Sequence, residues 1–141
     1  MKRRVATERA VVLVDHGSRE RAANRQLSAI AARLAKRLPG RKIATAHLSL
    51  ARPGLLEALD ACVAAGAREI VVVPYFLAPG RHATRDIPRL ARNARARHPG
   101  VRIRVSAPLG VHDGLVAAVA ERVTRRRARR GPRSASRAGS S

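Results

Sequence analysis

Two short stretches of this chain hold side chains suited to chemistry: Asp15-His16-Gly17-Ser18-Arg19 and Gly80-Arg81-His82-Ala83-Thr84-Arg85. Imidazole ionises near physiological pH and is the commonest metal ligand. If His16 and His82 face each other, they can hold a divalent metal with open positions, move a proton, or do both. Arg19, Arg81 and Arg85 suit carboxylates or phosphates, because guanidinium pairs with them in two-pronged fashion. A third histidine, His47, has Ser49 two residues on, and alternate residues of a strand share a face. The other candidates read as structural. His98 precedes Pro99-Gly100 at a helix end, where a positive charge suits the dipole. His112 reads as a loop residue, and Cys62 on an apolar stripe reads as core. A single cysteine excludes an internal disulfide and a Cys-based zinc cage. Gly17 and Gly80 belong to no dinucleotide or P-loop pattern.

The elements that must position these residues follow from hydrophobic period. Ala10 to Val14 is a continuous apolar run, as in a strand buried on both faces. Ala22 to Leu38 repeats at helical spacing through Leu27, Ile30, Ala31 and Leu34, and Pro39-Gly40 ends it. Ile43 to Leu50 reads as a strand. Pro53 suits the first turn of a helix whose apolar face is Leu55, Leu56, Leu59, Cys62 and Val63, with Gly66 as its cap. Glu69 to Phe76 is the strongest strand pattern, and residues 79–82 read as a loop. A helix is expected from Asp86 to His98. Val101 to Ser106 alternates with arginines, as an edge strand does, and a last helix runs from Leu115 to about Arg127.

Four β-α repeats with short connections predict an α/β domain with a parallel four-stranded sheet and helices on both faces. Right-handed crossovers give the order 2-1-3-4 with strand 1 central. Ligands bind such sheets beyond the carboxyl ends of the strands, where the order reverses. Strands 1 and 3 meet there, so His16 and His82, 66 residues apart, are expected at one cleft, with His47 and Ser49 flanking it on strand 2.

Composition narrows the function classes. The 141 residues fit one domain, and their apolar content is aliphatic: 28 alanines, one Phe, one Tyr and no Trp. That excludes an aromatic platform for single-stranded bases. No apolar run reaches the length of a membrane span, no h-region follows Met1-Lys2-Arg3-Arg4, and a cytoplasmic chain is the expectation. The formal charge is +21, with 27 arginines and only three lysines among the basic residues. The last 20 residues carry eight arginines and no acid, yet residues 10–121 remain at +10. The body therefore favours anionic partners by itself. The expected organisation is a basic extension over 1–9, a domain over 10–127, and an Arg/Ser-rich disordered tail over 128–141.

The motifs Val14-Asp-His-Gly-Ser-Arg19 and Pro74-Tyr-Phe-Leu-Ala-Pro-Gly-Arg-His82 resemble those of the small class II chelatases of the CbiX/SirB type, the sirohydrochlorin cobalto- and ferrochelatases. Asp86-Ile-Pro88, His98-Pro-Gly100 and Pro108-Leu-Gly110 add to the likeness, which covers about residues 10–123. The resemblance implies a chelatase-like (flavodoxin-like) fold and often a homodimer. It also implies insertion of Co²⁺ or Fe²⁺ into an anionic tetrapyrrole, on the way to cobalamin or siroheme. It carries the family's two active-site histidines onto His16 and His82, as catalytic and metal-binding groups. Ser18, Arg19, Gly80 and Arg81 become substrate-binding residues, and His47 a candidate further metal ligand. No permanent cofactor is implied; the metal is a substrate. One position departs: where the family has Glu in a stretch like F-L-E-L-A-x-P, this chain has Ser49 in His47-Leu-Ser-Leu-Ala-Arg-Pro53. The competing readings are a non-catalytic tetrapyrrole- or metal-binding relative and a basic nucleic-acid-binding protein without sequence specificity, acting through its tail. A histidine phosphatase is the weakest, since Asp15 stands where its Arg should be.

Overall fold

In a computed structural model, residues 8–78 and 80–125 are described. The elements are β1 (Arg9–Asp15), α1 (Arg21–Arg37), β2 (Lys42–His47), α2 (Leu55–Ala64), β3 (Glu69–Pro74), α3 (Arg81–Arg97), β4 (Arg102–Val105) and α4 (Asp113–Thr124). All pairings are parallel and the strand order is β2-β1-β3-β4, as the β-α alternation requires. The described residues fall into two compact units divided after Gly110.

The first unit holds the sheet and α1 to α3. Alternation along β1 splits its residues between two layers. Ala10, Val12 and Val14 pack with Leu55, Leu59 and Cys62 of α2 and with Ile87, Ala91 and Ala94 of α3. Val11 and Leu13 face the other way, onto Leu27 and Ala31 of α1. Small alanines on α3 let that helix lie close to the sheet. β4 is an edge strand, and its exposed Arg102 and Arg104 alternate with buried Ile103. At the amino edge of the sheet, His98 caps the end of α3 and its Nε2 lies 2.8 Å from Asp60 Oδ1, while Arg97 donates to Asp60 Oδ2 at 2.7 Å.

Several boundaries depart from the sequence pattern; β3 ends at Pro74 rather than Phe76. β2 ends at His47 rather than Leu50, because the chain turns there: His47 N donates to the carbonyl of Pro53, and Leu50 has a left-handed φ of 66°. His47 and Ser49 therefore do not share a strand face; His47 is buried and Ser49 exposed. α2 begins at Leu55, after an extended Gly54, so Pro53 precedes the helix instead of lying in its first turn. α3 starts at Arg81, five residues before the expected Asp86, since Gly80 is extended (φ −70°, ψ 174°) and serves as its N-cap. Pro88 thereby lies inside the helix rather than in its first turn, and His82 sits in a first turn rather than a loop.

The second unit contains α4, which begins at Asp113 rather than Leu115. Its N-cap is His112, whose Nδ1 accepts from Gly114 N at 2.8 Å. The expected tail over 128–141 lies outside the described residues, as does most of the expected extension over 1–9; β1 takes up Arg9. Among the described residues no helix is long and apolar enough to cross a membrane.

Candidate active site

The site is built where β1 stops. Val14 pairs with Pro74 and Asp15 with His47, so the segments leaving β1, β2 and β3 emerge side by side at the carboxyl edge. The main chain continues to zip past the strand ends. Leu48 N donates to Asp15 O at 2.9 Å, Ser49 N to His16 O at 3.0 Å, and Tyr75 N to Val14 O at 2.7 Å. The turn after His16 needs Gly17. Its φ is +85°, and a Cβ there would sit 1.8 Å from the Ser49 carbonyl oxygen.

Two side chains hold that turn from within. Asp15 Oδ1 accepts from Gly17 N at 2.9 Å and also hydrogen-bonds His47 Nδ1. A carboxylate only accepts, so the Nδ1 of His47 carries the proton in that bond. Asn24, in the first turns of α1, receives Ser18 N on its Oδ1 at 2.9 Å and donates from its Nδ2 to Ser18 O at 2.7 Å. Ser18 Oγ accepts from Glu20 N at 3.0 Å. The outcome is an exposed His16 ring on an ordered main chain, lying against Phe76 with ring centroids 4.2 Å apart and planes tilted by 45°. A cleft of about 210 Å³ opens here, lined by residues of both loops: Asp15, His16, Gly17, Ser18, Tyr75 and Phe76, with Ala23 and Asn24 from α1.

The expected site residues are distributed as follows. His16 and Ser18 line this cleft. Arg19, Gly80, Arg81, His82 and Arg85 are exposed at the same carboxyl edge, the last three on the first turns of α3. His82 does not line the cleft of His16; beside its helical turn lies a second, apolar cavity of about 140 Å³ bounded by Ala83, Thr84, Ile87, Pro88 and the ends of β3 and β4. His47 is 5% exposed and spends Nδ1 on Asp15. Ser49 Oγ donates to the His16 carbonyl at 3.2 Å. Among the described residues no group of three or more His, Cys, Asp or Glu is gathered for a metal ion. Sequence reasoning missed Asn24 and the Asp15–His47 bond. The second was within reach, because the predicted strand order places the ends of strands 1 and 2 next to each other. It also missed two exposed leucines, Leu50 (61%) and Leu77 (64%), in the loops on either side of His16.

The CbiX family model matches residues 10–126. The chain belongs to the CbiX family. This CbiX chain is 37% identical over 113 residues to the chloroplastic sirohydrochlorin ferrochelatase of Arabidopsis thaliana, covering 80% of itself and 50% of that protein. It spans about half the length of the first curated relatives it matches, which are sirohydrochlorin ferrochelatases. A solved cobalamin (vitamin B12) biosynthesis CbiX protein from Marinobacter aquaeolei superimposes with a TM-score of 0.70 at 30% identity, over 82% of this chain and 93% of that one. The sirohydrochlorin chelatase SirB of Bacillus subtilis subspecies spizizenii, solved in complex with cobalt, gives a TM-score of 0.76 at 32% identity, over 82% and 50% of the two chains.

Proposed function

We propose that this chain is a sirohydrochlorin chelatase, inserting Co²⁺ or Fe²⁺ into an anionic tetrapyrrole for cobalamin or siroheme biosynthesis. The observation that carries the reading is His16, presented on a pinned turn at the edge of a cleft in a chain of this family. Insertion brings a dication into the ring and releases two pyrrole protons. His16 and His82 receive the metal or accept those protons. Imidazole suits both tasks, being a ligand when neutral and a base near neutral pH. Arg19, Arg81 and Arg85, with Ser18 and Gly80, hold the carboxylates on the rim of the macrocycle, in keeping with the +10 charge of residues 10–121. Leu50 and Leu77, exposed on the two loops that flank His16, cover part of its apolar face. Residues 10–127 act as the functional unit, as a cytoplasmic homodimer. The Arg-rich segment after it gives only non-specific affinity for nucleic acid.

Ser49 favours one second reading, a non-catalytic relative that binds the tetrapyrrole or metal. It replaces the carboxylate that the family resemblance leads one to expect, and its hydroxyl is turned to the His16 carbonyl. The deciding experiment mixes the purified chain with sirohydrochlorin and Co²⁺ or Fe²⁺ and follows the absorption change of the metallated ring. Acceleration over the spontaneous rate supports the chelatase. Binding of the tetrapyrrole with no acceleration, in wild type and Ser49→Glu alike, supports the non-catalytic relative.

A further inference from the structure

His47 and Ser49 have a common target. Both come from the end of β2, and both act on the three residues that present His16. His47 is the one buried polar residue of the core among the described residues, and its ring is engaged with the Asp15 carboxylate. That carboxylate oxygen also takes the Gly17 amide, at 2.9 Å. The same Gly17 rests against the Ser49 carbonyl, with no room for a Cβ. Ser49 then grips the residue between them, giving His16 O both its main-chain N–H at 3.0 Å and its hydroxyl at 3.2 Å. Leu50, next in the chain, holds a left-handed φ of 66° that a leucine adopts only under constraint, and strain of this kind collects where a site is being shaped.

We infer that His47 and Ser49 are positioning residues that act through Asp15, Gly17 and the His16 carbonyl to hold the His16 ring against Phe76. This inference rests on the proposed chelatase for its kinetic consequence, though not for its structural one. The main chain of residues 15–17 is tied to the segment leaving β2 at Asp15 O and His16 O and, through the Asp15 carboxylate, at Gly17 N, so the freedom left to the imidazole is chiefly that of its own two side-chain torsions. Phe76, itself buried, provides the wall against which those settle. A ligand histidine held in one orientation meets the metal without first being ordered, which is the general role of the outer groups that support ligating side chains. Ser49 thus serves the backbone of His16.

The test uses the full chain and reads His16 directly. With ring centroids 4.2 Å apart, the ring current of Phe76 displaces the His16 ring-proton resonances from their unfolded positions, and Phe76→Leu identifies that displacement. His47→Leu fills the space without a donor, whereas His47→Asn keeps an N–H near the place of Nδ1. We expect His47→Leu to lose most of the displacement and His47→Asn to keep it. Ser49→Ala, at an exposed position, should lose part of it, which keeps the test open if His47→Leu does not fold. In metal insertion, His47→Leu should lower kcat by about tenfold or more while KM for the tetrapyrrole stays within about twofold, and His47→Asn should restore kcat. Unmoved His16 resonances in folded His47→Leu and Ser49→Ala overturn the inference. If wild type inserts no metal, the proposed function fails, and the resonances still decide the positioning role.

Discussion

Gly17→Ala places a Cβ where the neighbouring main chain leaves no room for one. Two costs add. An alanine at φ +85° occupies left-handed backbone, at about 1–2 kcal/mol. Its Cβ would also stand 1.8 Å from Ser49 O, against a floor near 3.0 Å, so the β1 and β2 extensions must part by at least about 1.2 Å. That separation stretches the bonds from Leu48 N to Asp15 O and from Ser49 N to His16 O beyond useful length, at about 1 kcal/mol each. Alanine returns about 0.4–1 kcal/mol by restricting the unfolded chain. The expected net loss is about 2–4 kcal/mol in urea denaturation, with an unchanged m-value. Metal insertion by the remaining folded protein should fall at least about a hundredfold, since a 1 Å misplacement of a reacting group costs on that order. Gly40→Ala is the control: a Cβ there meets nothing within 4 Å and its φ is not left-handed, so that variant should be neutral or up to about 1 kcal/mol more stable. A Gly17→Ala protein within about 0.5 kcal/mol of wild type and fully active would refute the argument, because neither cost would then exist.

If Leu50 and Leu77 cover the macrocycle as proposed, replacing both by Ser removes about 1 kcal/mol of apolar contact each, so KM for the tetrapyrrole should rise about 10- to 30-fold while urea stability, for two exposed side chains, barely moves. Burial raises the Cys62 thiol pKa, offset in part by the nearby Lys42 charge. The folded state therefore favours the protonated thiol. That contribution to stability is fully present below the ordinary thiol value of 9.0 and is lost as pH rises through the higher folded value. Alkylation of Cys62 at pH 8 should accordingly be slow in the native protein and fast in urea. Asp60→Ala breaks the bonds to Arg97 and His98 at the far edge of the sheet; these groups are partly solvated, so the loss should stay at or below about 1 kcal/mol and insertion per folded molecule should not change.

The strand order was legible because the buried runs at β1 and β3 are continuous and valine-rich, and because the connections are too short for anything but right-handed parallel crossovers. The ends of elements were not. A glycine can stop a helix or open one, and Gly80 opens α3, which moved His82 from a loop onto a helix. His47-Leu48-Ser49 looks like strand by pattern, yet the chain turns at Leu50 in a conformation leucine rarely takes, which no propensity would suggest. The placing of His16 at the carboxyl edge follows from topology alone. The use of Asn24 to pin Ser18 does not, because a polar side chain six residues away on a helix surface has many alternatives. His47 was legible as a residue of interest, and its partner was decided by the side-by-side pairing of Asp15 and His47 at the strand ends.

The most direct test compares initial rates of Co²⁺ and Fe²⁺ insertion into sirohydrochlorin by wild type, His16→Ala and His82→Ala, each shown to be folded by urea denaturation. Both positions are exposed, so stability should change by no more than about 1 kcal/mol in either variant. Clear acceleration by wild type with at least one metal is expected, with loss of most of that acceleration in each variant. Equal rates in all three proteins, or no acceleration by wild type with either metal, would contradict that expectation.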